Sequence, residues 1–153
     1  MGKKLIIPGA DFSANAIYTP HLGIKVAAGK TATILASINN STPIVYMTKT
    51  AGAADEYFSI DLQDYLDAGY DGGYILSCGR GTTYQNINNE AILEAEIICD
   101  DFTSLSDACK DCWALTSLTI RNSKGKLVNM SNMCYGCNAL ATMNFDELDT
   151  SKV

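Results

Sequence analysis

Between residues 21 and 100, apolar and polar side chains alternate along short runs. Ile34, Ala36 and Ile38 face one way while Thr33 and Ser37 face the other. Phe58, Ile60 and Leu62 repeat the pattern, as do Leu93, Ala95, Ile97 and Cys99 opposite Glu94 and Glu96. A period of two is that of a strand with one buried face. It predicts strands over 22–27, 31–38, 43–49, 57–62, 74–78 and 91–99, with a helical turn at Asp64-Tyr65-Leu66-Asp67. Turn residues separate the runs: Ala28-Gly29-Lys30, Asn39-Asn40-Ser41, Asp71-Gly72-Gly73 and the stretch 86–89. Short strands punctuated in this way predict an antiparallel β-sandwich over 21–100.

The pattern differs on both sides of that segment. Residues 4–20, "KLIIPGADFSANAIYTP", hold one short apolar run, a Pro-Gly turn and isolated apolar residues. So little contiguous apolar surface cannot fold alone. Residues 1–20 therefore read as an extended arm, with Leu5, Ile6, Ile7, Phe12 and Ile17 as candidate anchors that add a strand to a partner. Beyond 100, "LSDACKDCWALTSLTI" (105–120) superposes on "MSNMCYGCNALATMNF" (130–145) at a constant offset of 25 residues. Cys109 falls on Cys134, Cys112 on Cys137, Leu115 on Leu140, Leu118 on Met143 and Ile120 on Phe145. A repeat of this length with an L-x-x-L-x-L spacing predicts the start of a leucine-rich-repeat solenoid over 101–153, with those ten residues as its core. Val128 recurs as Val153, so the repeat is expected to continue beyond 153.

The cysteines admit a second reading. Two Cys-x-x-Cys pairs, Cys109/Cys112 and Cys134/Cys137, approach zinc-ribbon spacing. The repeat explains them without a metal, because equivalent residues recur whatever their chemistry and a buried Cys behaves as a small hydrophobe. Zinc and a disulfide stay open; stacked buried thiols are favoured, and no metal or other cofactor is expected. Asp61, Asp64, Asp67 and Asp71 could collect calcium, but their spacing fits no EF-hand loop. "SCGRGTTY" (77–84) lacks the Gly-Lys-Ser/Thr ending of a phosphate loop and reads as a turn. His21 is the sole histidine and has no nucleophile motif beside it, so no enzyme is expected. Tyr46, Tyr57, Tyr65, Tyr70, Tyr74 and Tyr84 suit either a contact surface or the core.

Bulk properties narrow the partners. A net charge of −6 and a pI near 4.6 weigh against nucleic acid. No apolar run is long enough to span a membrane, and the opening residues do not resemble a secretory leader. Synthesis and retention in the cytoplasm, with reduced thiols, is the expectation.

Two resemblances add to this reading. "VNMSNMCYGCNALATMNFDELDTSKV" (128–153) resembles the BspA-like leucine-rich repeat of the DUF285 type, carried by Val128, Met130, Met133, Cys137, Leu140, Met143, Phe145 and Asp149-Thr150-Ser151-x-Val153. Cys109 and Cys134 stand where that family usually has Phe. The opening "IIPGADFSANAI" (6–17) resembles the N-termini of head- or tail-fibre-like proteins of phages infecting gut Bacteroides. Together they imply a virion structural protein made in the host cytoplasm. Its arm would hold capsid or tail proteins, and its repeats would meet a host-surface glycan or protein. Fibres of this kind are usually homotrimers, so a homotrimer is expected. The alternative is a bacterial cell-surface adhesin, the commoner role of BspA-like repeats.

Overall fold

A computed structural model describes residues 19–78 and 87–153. The expected anchors Leu5, Ile6, Ile7, Phe12 and Ile17, Tyr84 and most of "SCGRGTTY" lie outside the described residues. Seven strands and one short helix follow in order: β1 (His21–Val26), β2 (Thr31–Ala36), β3 (Ile44–Thr50), β4 (Glu56–Asp61), α1 (Gln63–Asp67), β5 (Ile92–Ile98), β6 (Ser117–Asn122) and β7 (Thr142–Leu148). The fold is mainly β. One mixed sheet has the order β4-β1-β5-β6-β7, and β2 pairs with β3 in a separate two-stranded sheet.

The mixed sheet changes direction at β5. β1 runs antiparallel to β4 and β5, whereas β5, β6 and β7 are parallel neighbours. Parallel strands need a crossover between them, and the turns of residues 99–116 and 123–141 supply it. Backbone pairing therefore runs without a break across position 100, and one apolar core joins Leu22, Ile24 and Ile34 to Leu105, Leu118 and Ile120. The antiparallel pattern expected over 21–100 holds for β1, β4 and β5 and for the β2–β3 pair, but the next partner of β5 is the parallel strand β6.

Three local departures have physical causes. β2 ends at Ala36, two residues before the expected end, because Asn39 and Asn40 adopt left-handed φ values of 52° and 58° in the turn that follows. In β5 the inward position belongs to Ile92, not Leu93. Lys25 pairs with Glu94 and Val26 with Ile92, so a bulge skips Leu93 and resets the alternation. Residues 74–78 form turns in place of the expected strand, since Tyr74 has φ 64° and the backbone N–H groups of Tyr74, Leu76 and Cys78 donate to the 106–110 turn.

The two-stranded sheet is fastened by polar groups as well as by apolar ones. Asn88 accepts from Thr33 N at 2.7 Å and donates to Thr33 O at 2.8 Å and Leu76 O at 3.3 Å. The buried Tyr65 hydroxyl donates to Leu35 O (2.7 Å) and reaches Asp71 O (3.1 Å). Tyr46, Tyr70 and Phe102 surround its ring at centroid distances of 4.9, 5.3 and 5.9 Å. Tyr65 thus belongs to the interior, with the partly buried Tyr46 and Tyr70 packed against it. Tyr57 stays exposed, with Lys25 Nζ 5.3 Å from its ring centroid.

Candidate functional site

Opposite the parallel strands, the chain folds into turns that stack on one another. Alternate N–H groups of the 72–78 turn donate to the next: Tyr74 to Ser106 O (2.9 Å), Leu76 to Ala108 O (2.7 Å) and Cys78 to Lys110 O (2.9 Å). The 104–112 turn then donates to 129–137 through Leu105, Asp107, Cys109 and Asp111, which reach Asn129, Ser131, Met133 and Tyr135 at 2.6–2.8 Å. Left-handed residues recur at equivalent places: Tyr74, Asp107 and Asn132, then Asp111 and Gly136. Gly136 is required there on two counts. Its φ is 78°, and a Cβ would lie 2.1 Å from Asp111 Oδ1 and 3.2 Å from its Cα.

Strand register agrees with the turns. Ser117 pairs with Thr142, Leu118 with Met143 and Thr119 with Asn144, each 25 residues apart. Past Thr119 an extra residue in β7 shifts the pairing, so that Arg121 meets Glu147 and Phe145 no longer stands strictly opposite Ile120. β5 pairs with β6 as Ala95 with Leu118 and Ile97 with Ile120. Ile92, Ala95 and Ile97, all buried, therefore occupy in β5 the L-x-x-L-x-L places of Leu115, Leu118 and Ile120. Among the described residues the stack has three layers, where the 25-residue offset in the sequence relates two. The first was hidden because Ile92 lies eighteen positions after Tyr74, whereas Leu115 lies eight after Asp107. Its left-handed position is also a Tyr, where Asp, Asn or Gly would have signalled a turn.

The thiols lie between these layers. Cys109 and Cys112 are buried and Cys134 and Cys137 partly so; all six cysteines are free. Cys78 Sγ donates to Asp111 O at 3.0 Å, Cys112 Sγ to Leu76 O at 3.2 Å and Cys137 Sγ to Cys109 O at 2.9 Å. Each bond ties one layer to its neighbour and needs the protonated thiol. Burial pushes the Cys109 thiol well up from its ordinary value, as a dry, apolar site disfavours thiolate. At Cys112 the neighbouring Cys78 side chain and burial act in the same direction. Among the described residues, no group of three or more His, Cys, Asp or Glu is placed to hold a metal ion.

Burial falls off at the last layer. Leu115, Leu118 and Ile120 are buried, whereas Leu140 and Phe145 are only partly covered and Met143 is 59% exposed. Met143 was expected in the repeat core; it keeps the register of Leu118 but stands on the edge strand β7. The N–H groups of Met130, Asn132, Cys134 and Gly136, equivalent to the donors of the layer before, have no acceptor among the described residues. Val128 and Tyr135 are exposed on the same layer. This end presents a ladder of donors, a strand edge and apolar side chains.

The remaining candidates serve the scaffold. Asp71 Oδ1 accepts from Gly72 N, Thr103 N and Ser104 N at 2.8–3.0 Å, and its Oδ2 accepts from Thr103 Oγ1. Asp61 accepts from Gln63 N, and Asp67 from Gln63 Nε2. His21 bridges Thr19 O (2.9 Å) and the fully buried Glu96 (3.0 Å), with no nucleophile on its ring nitrogens among the described residues. A depression beside Trp113 escaped sequence reasoning altogether, since its lining comes from distant segments. No family model, curated protein or solved structure matches this chain.

Proposed function

We propose that this chain is a binding and structural protein of a phage virion, of head- or tail-fibre type, working without catalysis or cofactor. In this reading the N-terminal arm joins capsid or tail proteins through Leu5, Ile6, Ile7, Phe12 and Ile17. A β-sandwich carries the start of a BspA-like leucine-rich-repeat solenoid, and the repeats meet a host-surface glycan or protein. The fibre is a homotrimer, by analogy with such proteins. The observation that carries the binding role is the parallel stack: its turns and strands repeat over three layers, so exposed side chains are held on a rigid ladder. A rigid display loses little conformational entropy on contact, which favours recognition. The virion setting is supported by the resemblance of residues 6–17 and the repeat character by that of 128–153.

Deletion of residues 2–17 tests the setting. The truncated chain should keep its far-ultraviolet circular dichroism and cooperative melting but be missing from purified particles. Normal incorporation of the truncated protein would sink the anchoring role. Recovery of the full chain in the bacterial envelope, with none in particles, would favour the adhesin.

A further inference from the structure

The β1–β2 turn, the start of β5 and the second-layer turn meet around a depression of about 490 Å³. Its main lining residues are Lys30, Thr31, Ile87, Asn89, Glu90 and Trp113. The volume lies within the range usual for small-molecule sites. We propose that this depression binds one pyranose ring of an uncharged glycan, with the ring face on the Trp113 indole. The proposal rests on the reading of the chain as a host-surface binder and names the chemistry of what it binds.

Trp113 motivates it first. The residue is the chain's single tryptophan, and it is 47% exposed. The repeat does not ask for it, since the equivalent position 25 residues on is Asn138. A large ring held half in water at a concave surface is the usual anchor of a contact site. Its setting is fixed, because Ala114 N donates to Asn89 O at 3.1 Å and so ties the turn to the start of β5.

The polar rim then selects the ligand. Asn89 is 6% exposed; its Nδ2 donates to Asp111 O at 2.7 Å, while its Oδ1 is buried with no hydrogen-bond partner among the described residues. An unpaired buried acceptor costs about 1–3 kcal/mol, and a turn of the Asn89 amide that brings Oδ1 to the surface of the depression would let a ligand hydroxyl donate to it. Lys30 Nζ and Glu90 Oε1 face each other at 3.4 Å, both largely in solvent, and offer donors and acceptors with no net charge. A phosphate or carboxylate ligand would meet the Glu90 carboxylate as well as Lys30. A purely apolar ligand would cover these groups without pairing them. A pyranose satisfies both sides: its C–H face carries partial positive charge toward the negative π face of the indole, and its hydroxyls donate and accept at the edge.

Fluorescence excited in the tryptophan band reports on Trp113 alone, so the test needs no label. The full chain is titrated with D-glucose, D-galactose, D-mannose and N-acetylglucosamine, and separately with inorganic phosphate. At least one sugar should shift or quench the emission saturably, with a Kd on the order of millimolar, as befits a single ring. The double variant Lys30→Ala/Glu90→Ala changes an exposed ion pair, so it should fold normally by circular dichroism yet weaken that binding about tenfold or more. Absence of saturation with all four sugars overturns the proposal, as does unchanged affinity in the folded double variant or a matching response to phosphate. A chain that incorporates into particles but binds no sugar sinks this site alone; one that binds sugar but is missing from particles sinks the virion setting alone.

Discussion

Leu115 and Leu140 occupy the same place in successive layers, yet only Leu115 is fully buried. Replacing each by Ala removes the same atoms from two different surroundings. At Leu115 the change costs the transfer of the lost groups and leaves a cavity between layers, about 2–5 kcal/mol in closely packed cores. At Leu140 the side chain is partly in water already, and the gap opens to solvent. Only part of the transfer term is lost there, about 1 kcal/mol. With a urea m-value of about 2 kcal/mol/M, a 3 kcal/mol loss lowers the midpoint by roughly 1.5 M and a 1 kcal/mol loss by roughly 0.5 M. Equilibrium urea unfolding of the two variants, followed by circular dichroism and compared at unchanged m-value, reads the difference directly. Equal losses, or a larger loss for Leu140→Ala, would mean that the third layer is covered and that the burial gradient toward β7 is wrong.

Three further outcomes follow from the same packing. Elemental analysis should find no stoichiometric zinc and a chelator should leave the melting curve unchanged, while brief alkylation read by mass spectrometry should label Cys134 ahead of Cys109 and Cys112; a zinc-dependent melt would restore the ribbon reading. Burial pushes the Cys99 thiol up from 9.0 to about 11 and the Cys109 thiol well up too. A raised folded-state pKa lends stability that is complete below the unfolded value and is lost as pH climbs through the folded one. The urea midpoint should therefore decline between pH 9 and about 11, less steeply in Cys99→Ala, and a flat profile would contradict the buried, protonated state. Asn88→Ala removes both bonds to Thr33 and the bond to Leu76, orphaning buried backbone groups, and should cost about 2–4 kcal/mol by thermal unfolding; a loss within about 0.5 kcal/mol would show those groups to be satisfied otherwise.

Strand periodicity found β1 to β5 and the α1 turn within a few residues, although β1, β2 and β5 are buried on both faces over most of their length. The 25-residue offset likewise matches the pairing of Ser117 with Thr142. Three features were hidden for physical reasons. The bulge that puts Ile92 and not Leu93 inside is set by the neighbouring strand β1, outside the reach of a local pattern. The first layer lost its period to extra residues between Tyr74 and Ile92, and its apolar run Ile75-Leu76 reads as strand although its backbone turns. The Trp113 depression brings together residues from positions 29 to 113, and no spacing announces such a meeting. Asp71 shows the converse. Its place in an acidic series suggested calcium, but its carboxylate already accepts the N–H groups of Gly72, Thr103 and Ser104.

Antibody labelling of intact, purified phage particles decides the proposed role most directly. An antibody against the 128–137 turn, whose Val128 and Tyr135 are exposed, should decorate the particle surface in electron micrographs. Mass spectrometry of the same particles should recover the chain in constant ratio to a capsid or tail protein. Particles that infect normally while carrying neither label nor peptide would contradict the proposed role in the virion.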